Sequence, residues 1–154
     1  MRRENVTEKL SLENVRIGFR NFSGKEGEYN PAGNRNFCVF LDSELAEHLE
    51  EQGWNVRWLQ PRDESEQPAP YLQVSLSYKN VPPKIVLITS SGKTKLDEED
   101  VSMLDWIEIE KADLIINPYN WEVSKKRGVK AYLKTMYVTM AEDEFEAKDK
   151  DVPD

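Results

Sequence analysis

The chain has 154 residues, a formal net charge of −8, one cysteine and one histidine. That length suits one domain with its own core, and the single Cys38 excludes an internal disulfide framework and fits a reducing compartment. Cys38 and His48 stand isolated and no run of about 18 apolar residues occurs, so neither a zinc-type site, nor a cofactor, nor a membrane span is expected.

Residues 1–12 are polar and read as a flexible N-terminus without the apolar core of a secretory signal, which gives a cytoplasmic expectation. Residues 14–22 form a predicted strand: Val15, Ile17 and Phe19 face the core, and Arg16, Gly18, Arg20 and Phe22 face solvent. A Gly-, Asn- and Pro-rich loop follows over 21–34 and is closed by Arg35. Residues 36–41, apolar on both faces, predict a buried strand. Asp42 and Ser43 then supply an N-cap for a short amphipathic helix ending at Gly53, with His48 on its polar side. A strand over 54–60 sets Trp54, Val56 and Trp58 against Asn55, Arg57 and Leu59, and Trp58, at the strand end, is open to a surface role.

Residues 61–70 make a proline-rich acidic connector. Strands are expected at 71–79 and 84–89, with a turn at 90–93 and a continuation over 94–96. Three carboxylates at 97–99 open a helical turn or two, where the macrodipole favours them. A strand over 106–117 changes its alternation near Ala112.

Tyr119 and Trp121 then lead into Lys125, Lys126, Arg127 and Gly128, a basic reversal in which the glycine can supply a positive φ. Past it, Val129, Ala131, Leu133, Thr135 and Tyr137 share one face of a long strand, and Lys130, Tyr132, Lys134, Met136, Val138 and Met140 the other. The chain closes on an acidic segment, 141–154, with seven carboxylates against two lysines and too few apolar groups to offset ordering. Many short strands, one or two short helices and no internal repeat predict an all-β, β-rich small barrel over 13–140, with 141–154 as a flexible, disordered tail.

Local charge matters more than the net value. Residues 113–140 carry five cations against two carboxylates, and the outward faces of two separate strands repeat a pattern of cations beside rings. Single-stranded nucleic acid needs that combination, because cations track phosphates and rings stack on bases. The candidate phosphate contacts are Arg16, Arg20, Arg35, Arg57, Lys125, Lys126, Arg127, Lys130 and Lys134; the candidate stacking rings are Phe22, Trp58, Tyr119, Trp121 and Tyr132.

The stretch GVKAYLKTMYV at 128–138, preceded by YNWEV at 119–123, resembles the terminal hairpin of phage single-stranded DNA-binding proteins, where a glycine turn precedes Gly-Val-x-Ala-x-Leu. The runs around RNFSGKEGEYNPAGNRNFCVFLD and GWNVRWLQP also look like phage early proteins, so the resemblance covers most of residues 14–146. It implies an OB-fold, sequence-independent binding of single-stranded DNA in phage DNA replication or recombination, no enzymatic activity, and a place in the host cell cytoplasm. It also implies that the acidic tail recruits replication or recombination proteins and shields the DNA site; a homodimer is a further expectation. The tail departs from the bacterial pattern of acidic residues followed by Ile-Pro-Phe, since it ends in Asp154.

Two other classes compete with this reading. A phage protein–protein interaction or virion-associated β-barrel module would use the same barrel and acidic surface without nucleic acid. A metal-dependent nuclease would need carboxylates such as Asp105, Asp113 and Glu122 to converge on an ion.

Overall fold

The computed structural model describes residues 5–79 and 81–142. Its strands are β1 (Leu10–Val15), β2 (Ile17–Asn21), β3 (Arg35–Phe40), β4 (Val56–Leu59), β5 (Ala69–Leu76), β6 (Lys84–Thr89), β7 (Gly92–Leu96), β8 (Ile109–Val123) and β9 (Lys126–Met140). A helix, α1 (Ser43–Gln52), follows β3, and a 3-10 turn (Val101–Asp105) precedes β8. The sheet runs β1-β8-β9-β5-β3-β2. Its two end strands are halves of one bent segment joined by Arg16 alone, whose carbonyl accepts from the Phe40 amide at 3.0 Å. The ladders do not close the sheet, yet this order, with β9 parallel to β5 and antiparallel to β8, is that of a small OB-like domain.

One apolar core lies inside the curl. Phe37, Val39, Leu72, Val74, Ile85, Leu104, Ile116 and Met136 are buried in it, supplied by inward positions of the strands or by the 3-10 turn, and Phe22 joins them from the turn just past β2. The helix begins where Asp42 Oδ1 accepts from the Leu45 amide at 2.8 Å, and stops at Gly53, whose φ of 102° few other residues would adopt. Its Ala46 and Leu49 are buried in the same core.

Bulges overturn two of the expected strand faces. In β2 the partners shift from Gly18 opposite Cys38 to Asn21 opposite Asn36, so Phe19 and Arg20 together oppose Phe37. Phe19 takes φ 46°, turning its ring outward to 58 % exposure instead of into the core. Beyond the bulge the alternation is inverted, and Phe22, expected on the solvent face, is fully buried and stacked on Phe37 with centroids 5.0 Å apart. In β9, Lys134 is the extra residue between Leu133 (opposite Ile116) and Thr135 (opposite Ile115). The expected alternation therefore holds from Val129 to Leu133 and flips after it, with Met136 and Val138 buried.

The basic reversal also differs from expectation. The two-residue turn is Ser124-Lys125, at φ 47° and 72°, and Gly128 lies within β9. What Gly128 provides is room: a Cβ there would stand 2.8 Å from the Trp121 indole. At the N-terminus, β1 starts at Leu10, inside the expected flexible segment, and Val6 exchanges hydrogen bonds with the Asn120 carboxamide at 2.9 and 2.7 Å. Of the expected acidic tail, only Ala141 and Glu142 belong to the described residues; the rest lies outside them.

Candidate nucleic-acid interface

The outward positions of β3, β5 and β9 form the floor of a groove. In β5 these are Tyr71, Gln73, Ser75 and Ser77 just beyond it; opposite them stand Phe40, Cys38 and Asn36 of β3, and Tyr132 of β9 is level with Ser75. The 23–34 loop, through Tyr29, Asn30 and Gly33, makes one wall, and a cavity of about 610 Å³ extends from there to Lys130 and Tyr132. A second hollow, about 330 Å³, continues it past Gln73 and Ser75 to Asn55 and Trp121.

Cations and rings from separate strands meet on this floor. Lys130 is exposed and its ammonium sits 5.0 Å from the Tyr132 centroid, while Tyr119 meets the same ring edge-on at 5.9 Å. At the other end Phe19, Phe40 and Tyr71 form a cluster with centroids 5.6 to 6.5 Å apart. The Arg16 guanidinium lies 5.6 Å above Phe40, and exposed Arg57 is level with Tyr71. Between the two aromatic stations the floor is short and polar. Cys38 lies in it but is buried, and burial pushes its thiol up to about 11 against a smaller opposing pull from Arg57.

The remaining candidates are placed elsewhere or are already engaged. Arg20 donates to the Leu104 and Ile107 carbonyls at 2.8 and 2.6 Å, so it braces the 3-10 turn. Phe22 is core. Arg35 lines the groove, but its guanidinium donates to the Phe22 carbonyl at 2.9 Å, approaches the Glu98 carboxylate at 3.7 Å and covers the Tyr78 ring. Trp58 packs on the core and donates its indole N–H to Glu50 of α1 at 3.1 Å, away from the groove floor. Arg127 donates to Asn5 Oδ1 at 2.8 Å. Lys134 stands beside Lys9; its neutral amine can accept a hydrogen bond from the Lys9 ammonium, and this, then the charge of Lys9, lowers its pKa. Lys125 and Lys126 are exposed at the tip of the β8–β9 arm.

The sequence reading missed Phe19, Phe40 and Tyr71. Tyr71 carried a signal as an outward ring in a cleanly alternating strand; the bulge that exposes Phe19 was signalled only by the neighbouring Gly18, while the positive φ itself falls on Phe19. The nuclease candidates do not converge. Asp105 accepts from the Phe22 and Ser23 amides at 2.6 and 3.1 Å, Asp113 from the Asn14 amide at 2.8 Å, and Glu122 pairs across from Arg127 in the β8–β9 ladder. Among the described residues no three His, Cys, Asp or Glu side chains gather to hold a metal, and no helix is long and apolar enough to cross a membrane.

An OB-like sheet whose groove face carries cations beside clustered rings defines the class as a single-strand-binding β domain. A family profile described as "Putative phage ssDNA-binding domain" matches residues 2–154, and the chain belongs to this family of phage single-stranded DNA-binding domains. Among solved structures it is similar to the C-terminally truncated single-stranded DNA-binding protein from bacteriophage Enc34, at 10 % identity over 88 % of this chain and 87 % of that one, with a TM-score of 0.57. It is likewise similar to that phage's protein in complex with ssDNA, at 10 % identity over 89 % of each chain and a TM-score of 0.55. At such identity the likeness establishes the fold. No curated protein matches the sequence significantly.

Proposed function

We propose that the groove over β3, β5 and β9 is where this chain takes up single-stranded DNA, without regard to most of its sequence. The observation that carries the reading is the meeting of Arg16, Arg57 and Lys130 with Phe40, Tyr71 and Tyr132, from separate strands, on one solvent-facing floor. Cations there neutralise phosphates, and each ring that stacks on a base contributes about 1–3 kcal/mol. Phe19 joins the stacking set, Phe22 and Trp58 leave it, and Arg20 leaves the phosphate contacts. Residues 13–140 are read as the binding domain and 141–154 as a polyanion that competes for the same cations, its leash keeping the local concentration high. Protecting or organising single strands during phage replication or recombination in the host cytoplasm is the role that fits, without catalysis by the chain. Replication or recombination proteins and a second copy of the chain are its further partners.

Fluorescence titration with oligothymidine at 50 and 200 mM salt tests this. Three phosphate contacts predict an affinity roughly twentyfold weaker at the higher salt. Tight binding indifferent to salt contradicts the mechanism. Capture of a protein partner with oligonucleotides left free supports the interaction-module reading instead.

A further inference from the structure

Strand β5 changes neighbours along one edge. β4 pairs with it as far as Leu72, and β9 takes over at Val74, so Gln73 lies at the handover. There the two neighbours are stitched together by the Gly53 carbonyl, which accepts from the Val129 amide at 2.9 Å, and by a parallel bridge between Trp54 and Val129. The fork leaves a notch of about 330 Å³ in the groove floor. Its far wall is the Trp121 indole, 38 % exposed and fitted across Gly128, where a Cβ would come within 2.8 Å of its Cζ2.

Two carboxamides line the same notch. Asn55 continues the β4–β5 register opposite Gln73, both side chains are exposed, and neither is engaged with another described residue. A carboxamide sets a donor beside an acceptor, the pattern that pairs bidentately with N6 and N7 of adenine. An indole face next to such groups supplies the stacking surface a purine fills best, and Lys130, on the same wall, suits the attached phosphate.

We propose that this notch seats one unpaired adenine, stacked on Trp121 and read by Asn55 and Gln73, so that a binding mode otherwise blind to sequence prefers adenine at one position. The proposal rests on the groove being the site for single-stranded DNA. Its test is competition binding with a 12-mer oligothymidine, the same oligomer carrying one central adenine, and a third carrying 7-deazaadenine, which lacks the N7 acceptor. The adenine oligomer is expected to bind about tenfold tighter than oligothymidine, and 7-deazaadenine to lose most of that gain. In the Asn55→Ala/Gln73→Ala double variant the ratio of adenine to thymidine affinity should fall to about one, whereas Trp121→Phe, which keeps a ring, should retain most of it. Equal affinity of the wild-type chain for all three oligomers overturns the adenine notch while leaving the groove reading intact; no binding to any of them overturns both.

Discussion

Strands β2 and β9 carry the same sequence signature, cations alternating with rings, yet the fold uses them in opposite ways. In β9 the alternation survives up to its bulge, so Lys130 and Tyr132 reach the groove floor while Val129, Ala131 and Leu133 fill the core. In β2 the bulge falls in the middle of the pattern, and Arg20 and, just past the strand's end, Phe22 are drawn inward to brace and fill. One extra residue decides whether a basic, aromatic strand faces a ligand or the interior, because side-chain direction has a period of two.

The two strands part most visibly at their aromatic residues. Phe22→Ala, which empties a fully buried site stacked on Phe37, should cost about 3–5 kcal/mol in urea unfolding. Tyr132→Ala should leave unfolding nearly unchanged and weaken oligothymidine binding by about 1–3 kcal/mol. If the two variants behave alike, the division between the strands is wrong.

The cations sharpen it. Arg20→Ala leaves two backbone carbonyls without their donor and should destabilise the fold by about 1.5–3 kcal/mol without altering the salt dependence of DNA binding. Lys130→Ala should reduce the slope of log affinity against log salt by about 0.7 and leave the unfolding midpoint in place.

Phe19 tests the bulge itself. Phe19→Gly relieves a left-handed backbone that costs roughly 1–2 kcal/mol in a residue with a Cβ, offsetting the ring contacts it gives up. Net stability should therefore stay within about 1 kcal/mol of wild type while DNA affinity falls, as measured by unfolding and titration on the same preparation. An unchanged affinity would remove Phe19 from the site. The smallest effect concerns the floor: with its pKa raised from 9.0 to about 11, Cys38 holds little thiolate at pH 8. Alkylation should run roughly a hundredfold slower than that of a free thiol from the pKa alone, and recover only as pH rises toward 11.

Much of the fold was legible because strong local signals agreed with the packing. The Asp42 cap, Gly53 stop and apolar spacing marked α1, and the clean alternation after Tyr71 marked β5. The register change near Ala112 was also visible in the pattern and coincides with the ladder irregularity between Ile109 and Lys111. What could not be read was where the register slips: the β9 bulge at Lys134 has no glycine beside it, and in β2 the glycine, Gly18, stands next to the positive φ, which falls on Phe19. The turn at Ser124-Lys125 hid for the same reason, both residues adopting positive φ beside a glycine used for clearance. Among the candidate residues, the sequence could show that Arg20, Arg35 and Arg127 were cationic, but which carbonyls or carboxamides would claim them depends on contacts 13 to 122 residues away in the chain.

The most direct test of the groove is an amide NMR footprint of the folded chain titrated with oligothymidine. Shifts concentrated at Asn36, Tyr71, Gln73, Ser75, Lys130 and Tyr132, with the β6–β7 hairpin and the outer face of α1 silent, are the result predicted here. Shifts centred on that hairpin or on Trp106, with the β5 floor unmoved, would contradict the account.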